Sequence, residues 1–208
     1  MSSAPKGIAV DGVSEEDVLR ANLYDLLGAL LARPPKSGLI ARARELTGDD
    51  TPLGRGIAAL GKVASAGNEA TVEKEFNRLF IGLGRGELVP YASFYMTGFL
   101  HEKPLAVLRN EMTALGIERA PNVFEPEDNI ASLCEMMAGL IMGRFGEPAS
   151  VARQREFFNR HMAPWAGHFF TDLEGAKGSF FFAPVGAIGK VFMEIEKQAF
   201  RMAGEVPA

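Results

Sequence analysis

Glu125-Pro126-Glu127-Asp128-Asn129 places three carboxylates and an amide around a proline, directly ahead of the apolar run IASLCEMMAGLIM. Side chains of these types can do several kinds of chemistry. Asp128 and Glu135 could act as a general acid and base, the carboxylates could hold a cation, and the same charges could dock a basic peptide. They also fit a helix start, where proline in the first turn and nearby acidic side chains are favoured, by roughly 0.3–1 kcal/mol per charge.

Two aromatic clusters precede this segment. Phe76-Asn77-Arg78-Leu79-Phe80 forms an apolar stripe with Val72 at helical spacing, which suits a core or the wall of a groove. Tyr91-Ala92-Ser93-Phe94-Tyr95, just past Pro90, offers rings with hydroxyl tips. Such rings suit a groove that takes an apolar peptide, or a pair of buried tyrosines with satisfied hydroxyls. Between the clusters, the alternating glycines 82, 84 and 86 could form a backbone anion nest, and with it weak GTP or ATP binding. That run lacks the Lys-Ser/Thr ending of a P-loop and any preceding strand, which favours a plain loop.

Other reactive groups are sparse. His161 and His168 are seven apart, but Pro164 interrupts a helix between them, so no metal site is expected. The one cysteine, Cys134, lies on an apolar helical face without a local base. It reads as an inert buried thiol in a reducing compartment. No nucleophile elbow, His-Glu-x-x-His pair or Cys-x-x-Cys motif occurs. A non-enzyme is expected, with a small helical enzyme using Asp128 and Glu135 as the alternative.

Helices must position all of these groups. Ser14 followed by Asp17 marks a helix start, and Val18, Leu19, Leu23, Leu26, Leu27, Leu30 and Leu31 recur on one face until Pro34 and Pro35. Helical patterns follow at about 36–46, 52–66, 70–81, 91–99, 103–115, 126–145, 148–162, 164–173 and 184–203. Counting at 100° per residue, Asp128, Ser132, Glu135 and Gly139 share one stripe of the 126–145 helix, opposite Ile130, Leu133, Cys134, Met137, Leu140 and Ile141. An acidic face and a core face are therefore expected. Ser179–Phe182 is a short aromatic run that fits a loop or a helix entry, and no segment alternates convincingly as a strand.

The expected fold is all-α, a single compact bundle of about ten helices over 14–203, with a flexible lead at 1–13 and a tail at 204–208. With 208 residues the chain can bury a full core without staples. Its net charge of −4 gives nucleic acid no counterion-release drive, so basic peptides are the better charged partners. The N-terminus lacks a basic start followed by an apolar core, and no apolar run is long enough to span a bilayer. A cytoplasmic protein without membrane insertion is expected.

These clusters, in this order, resemble the TorD/DmsD/NarJ-like family of redox-enzyme maturation chaperones, most closely its TorD and DmsD branch. FNRLF is similar to the family's aromatic-x-x-Leu-Phe motif, and EPEDN to its Glu-Pro-x-Asp-His motif. GRGELVPYASFY, LRNEMTALGI and HMAPWAGHFF follow the family's progression, so the resemblance runs over about residues 18–202. One departure is Asn129, where the family usually has histidine. Asparagine keeps donor and acceptor capacity but cannot titrate.

The resemblance implies an all-helical, non-enzymatic cytoplasmic chaperone for a molybdenum enzyme precursor. It would bind the precursor's twin-arginine leader, and sometimes its body, until the molybdopterin cofactor is inserted before export. That cofactor belongs to the client, and the chaperone itself needs none. A NarJ-type assembly factor for a non-exported subunit is the alternative, and monomer and homodimer are both compatible. The groove residues implied are Phe76, Leu79, Phe80, Tyr91 and Tyr95, with Pro90 shaping the loop. Glu125, Asp128 and Glu135 are the implied carboxylates, and Ser93 and Asn129 the hydrogen-bonding groups. Asp128 could instead hold its own loop by accepting backbone N–H bonds.

Overall fold

Helix starts in this chain are written locally, and the structure uses them. The computed structural model describes residues 12–82, 86–119, 121 and 123–205. The expected lead therefore lies largely outside the described residues, as do residues 83–85 of the glycine loop. Ser14 accepts from the Asp17 N–H to start α1 (Glu15–Ala32), and α2 (Ser37–Arg44) follows the two prolines. Thr51 caps α3 (Pro52–Ala66), and Asn68 with Thr71 forms a capping box on α4 (Glu69–Phe76). A π-helical turn, Asn77–Ile81, continues α4. Then come α5 (Ala92–Thr97), α6 (Lys103–Leu115), α7 (Ile130–Met142), α8 (Val151–His161), α9 (Ala166–Gly175) and α10 (Phe182–Glu205). No strand occurs among the described residues, and none of the described helices is long and apolar enough to cross a membrane.

The helix expected at 126–145 departs from its sequence reading. It begins at Ile130, so Asp128 is not on the helix. The acidic side of α7 is narrower than expected: Ser132 and Glu135 keep solvent access, but Ala131, Met136, Ala138 and Gly139 are buried along with the expected core positions. The reason is tertiary. α1 packs along α7, α8 meets it from another side, and the Phe145 ring covers Gly139, where a Cβ would lie 2.3 Å from ring carbon. Cys134 is fully buried, and that burial pushes its thiol pKa up, away from nucleophilic use.

A second interface closes α10 onto α9 and α3. A Cβ on Gly186 would stand 2.4 Å from the Glu174 nitrogen, and one on Gly189 would stand 2.2 Å from the Phe170 ring. Only glycine permits that approach. The aromatic run expected to be loop or helix entry is both, since Glu75 accepts the N–H groups of Phe180, Phe181 and Phe182 at 2.8–3.1 Å and so caps α10.

Two buried ion networks tie distant helices. Arg20 on α1 donates from Nε and Nη2 to both oxygens of Glu196 on α10, at 2.7 and 2.8 Å, and Tyr24 donates to the same carboxylate at 3.0 Å. On the far side, Glu111 of α6 meets His161 Nε2 at 2.8 Å and Arg160 at 2.9 Å, with Arg153 at 3.5 Å. Burial, helped by the two arginines, lowers the His161 pKa below its usual 6.5. Burial alone would raise Glu111, but His161, Arg160 and Arg153 hold it below the usual carboxylate range.

The sign of the pH effect follows. On acidification the unfolded chain takes up the histidine proton first, so stability is full above about pH 6.5 and declines below it, with a second loss below the usual glutamate range. Urea unfolding midpoints should thus fall between about pH 7 and pH 5.5. In His161→Gln that upper decline should flatten, while an unchanged slope would assign the titration elsewhere.

Candidate functional site

The π-helical turn decides which way the first aromatic motif faces. Its widened ring, closed by Gly82 N–H on the Asn77 carbonyl at 2.7 Å, sends Leu79 into the core and leaves Phe80 half-buried. Such turns insert one extra residue and recur at functional sites. Phe80 is held edge-on by Phe76 at 4.8 Å and by Phe182 at 5.6 Å between ring centroids. Ile81, the next residue, is 58% exposed. The chain then returns, Leu88 N–H donating to Leu79 at 2.8 Å, and delivers Pro90 and Tyr91 beside the turn.

EPEDN is joined to that returning strand of chain by backbone. Tyr91 and Asn129 form an isolated antiparallel bridge: Ala92 N–H donates to the Asp128 carbonyl and Ile130 N–H to the Pro90 carbonyl, both at 2.9 Å. The four polar residues then separate by role. Asp128, 1% exposed, accepts the Ser93 N–H on Oδ2 at 2.7 Å. Glu127 is buried against Arg109 at 2.9 Å and Arg119 at 3.6 Å. Asn129 caps α7, its Oδ1 accepting from the Ala131 N–H at 2.9 Å. Capping needs an acceptor and no titratable group, so asparagine serves there. Glu125 alone stays exposed, and it accepts the Tyr91 hydroxyl. Burial, reinforced by Glu125, raises the Tyr91 pKa, so that hydroxyl stays protonated.

Together these segments border a cleft of about 890 Å³. One wall is Phe76, Phe80 and Ile81; another is Pro90, Tyr91, Val123, Glu125 and Asn129. Ala131, Ser132 and Glu135 of α7 form the floor. Glu135 is exposed into the cleft and has no ion pair or hydrogen bond among the described residues. Partial burial, with Asp25 adding to it, raises its pKa. Arg33 and Arg144 act in the opposite sense.

Of the residues singled out from sequence, the structure brings Phe76, Phe80, Pro90, Tyr91, Glu125, Asn129 and Glu135 to this cleft. Leu79, Ser93 and Asp128 are buried behind it. Tyr95 faces another way, its hydroxyl donating to Asp172 at 2.8 Å and its ring lying 5.3 Å from that of Trp165. Sequence reasoning missed Ile81 and the third wall, which includes Ala32, Arg33, Pro35, Leu39 and Arg42 at the α1–α2 corner. Ile81 carried a usable signal, being apolar and next to the motif. The corner carried only a helix-stop signal. A smaller hollow of about 570 Å³ along α9 and α10 contains none of the candidate residues.

Residues 47–171, which span both motifs and the bridge between them, match the family model described as nitrate reductase delta subunit. The chain belongs to that family. Among curated proteins, the chaperone protein TorD of Vibrio cholerae serotype O1, strains Classical Ogawa 395 and M66-2, is 30% identical over 102 residues. The aligned segment is 46% of this chain and 46% of each TorD, so it spans less than half the length of those relatives. Among solved structures, a chain from Archaeoglobus fulgidus described as a redox enzyme maturation protein superposes with a TM-score of 0.56 at 18% identity. It covers 85% of this chain and 94% of its own length, a likeness of fold. The nitrate reductase delta family member described here therefore has an all-helical fold shared with that protein.

Proposed function

We propose that this chain is a cytoplasmic maturation chaperone for a molybdenum-containing oxidoreductase, holding an arginine-bearing apolar leader of the precursor in the 890 Å³ cleft until its cofactor is in place. The observation that carries this reading is the cleft itself. Both motifs line it, its walls are aromatic and aliphatic, and its floor presents the unpaired Glu135.

Magnitudes divide the labour between these groups. A solvent-exposed ion pair contributes about 0.2–1 kcal/mol, and burying a Leu- or Phe-sized side chain roughly 1.5–3 kcal/mol. Micromolar affinity requires about 8 kcal/mol net of the ordering cost of a flexible peptide. The apolar walls therefore supply most of the affinity, and the carboxylates set the preference for arginine over neutral leaders.

Calorimetry with a synthetic twin-arginine leader tests this. Ile81→Ala should weaken binding roughly tenfold, because an exposed apolar side chain becomes buried only in the complex. Glu135→Gln should weaken it about two- to fivefold and remove part of the salt dependence. Because the Glu135 pKa is raised, wild-type affinity should also fall on acidification, before an ordinary carboxylate would titrate. Unchanged affinity in both variants would count against the cleft as the binding site.

A second reading is favoured by the matched family description, a delta subunit of nitrate reductase. In that case the occupant is an apolar segment of a subunit that is not exported. Replacing both leader arginines by glutamine would then leave the affinity unchanged.

A further inference from the structure

The third wall gives the cleft a charge of its own. Arg33 ends α1, Arg42 lies in the last turn of α2, and both are exposed into the cleft. Neither makes an ion pair or side-chain hydrogen bond among the described residues. Lys36, between them, is already engaged with Glu69 at 3.3 Å and Glu73 at 3.8 Å. Glu125 lines the same cleft beside Tyr91 and is held there by the tyrosine hydroxyl. Glu135 is on the floor, near enough to Arg33 to feel its charge.

An arginine-only ligand satisfies one side of this arrangement and is repelled by the other. Two free guanidinium groups beside an apolar groove are suited to a carboxylate, which each can bind through paired N–H donors. We propose that the cleft reads a peptide as a dipole: arginine against Glu125 and Glu135, and an acidic side chain elsewhere in the same segment against Arg33 and Arg42. The two charged walls then fix the direction in which the segment lies. This rests on the leader-binding reading above and adds to it a second recognition element and a polarity.

The probe is a pair of synthetic peptides, each with two adjacent arginines and an apolar segment, one carrying a glutamate beyond that segment and the other glutamine. At low ionic strength the glutamate peptide should bind wild type about two- to fivefold more tightly, as expected for exposed pairs, and added salt should erase the difference. In Arg33→Gln/Arg42→Gln the two peptides should bind equally. Both positions are exposed, so this variant should keep its helical circular dichroism.

Equal binding of the two peptides by wild type overturns the dipole reading and leaves leader binding standing. A glutamate preference that survives in the double variant also overturns it, by assigning the carboxylate to another site. If neither peptide binds wild type, leader binding itself fails and the dipole reading fails with it.

Discussion

Glu196→Ala should cost about 3–5 kcal/mol of folding stability, the range for removing one partner of a buried ion pair. Glu196 is 1% exposed and receives three hydrogen bonds, two from Arg20 and one from Tyr24. Its removal strands a guanidinium whose side chain is only 16% exposed, with Asp17 and Gln154 as its remaining partners. It also leaves the hydroxyl of fully buried Tyr24 without its acceptor. The network joins α1 to α10, so the loss should appear as lower cooperativity between the chain's two ends. The measurement is urea unfolding followed by circular dichroism. A second variant, Arg20→Met/Glu196→Leu, should recover much of the loss, since apolar replacement of a whole buried pair is often neutral or better. A Glu196→Ala cost below about 1 kcal/mol would show that water reaches the pair and screens it.

Several helix starts were legible in the sequence because they are set within a few residues. Ser14 with Asp17, Thr51 ahead of Pro52, and Asn68 with Thr71 each fix a start through local hydrogen bonds. Contacts between distant segments have no such signature. The periodicity that put Asp128 on a helix face assumed a helix running from Pro126, whereas residues 127 and 128 form a turn, closed by the Asn129 N–H on the Pro126 carbonyl, and pairing with Tyr91 holds Asn129 in extended backbone. Tyr91 and Tyr95, both read as groove residues, face different surroundings for a related reason. Four-residue spacing shares a face only inside a helix, and Tyr91 is an N-cap with φ −127° and ψ 136°. The α1–α2 wall was invisible because Arg33 and Arg42 look, in sequence, like ordinary solvated charges around a proline stop. Packing alone brings them to the cleft that Glu125 and Glu135 also line.

Glu125 and Asp128, three residues apart in one acidic segment, should therefore respond differently to substitution. Asp128→Ala removes the acceptor of the Ser93 N–H and should cost about 1–3 kcal/mol of stability, as expected for a backbone donor left unpaired in a buried site. The effect on leader binding should be indirect. Ser93 follows Tyr91 and Ala92, so loosening it lets the Tyr91 wall move and disturbs the Tyr91–Glu125 contact across the bridge. Glu125→Gln, at an exposed rim position, should leave stability within about 0.5 kcal/mol of wild type. It should nevertheless weaken binding of the arginine leader about two- to fivefold. Unfolding curves paired with calorimetry on both variants separate the two roles. If Asp128→Ala kept full stability and lost binding, Asp128 would have to contact the peptide directly, and its burial would have to be relieved when the leader binds. If both measures fell together, the negative charge in EPEDN would have two separate uses, with Asp128 holding the wall and Glu125 meeting the ligand.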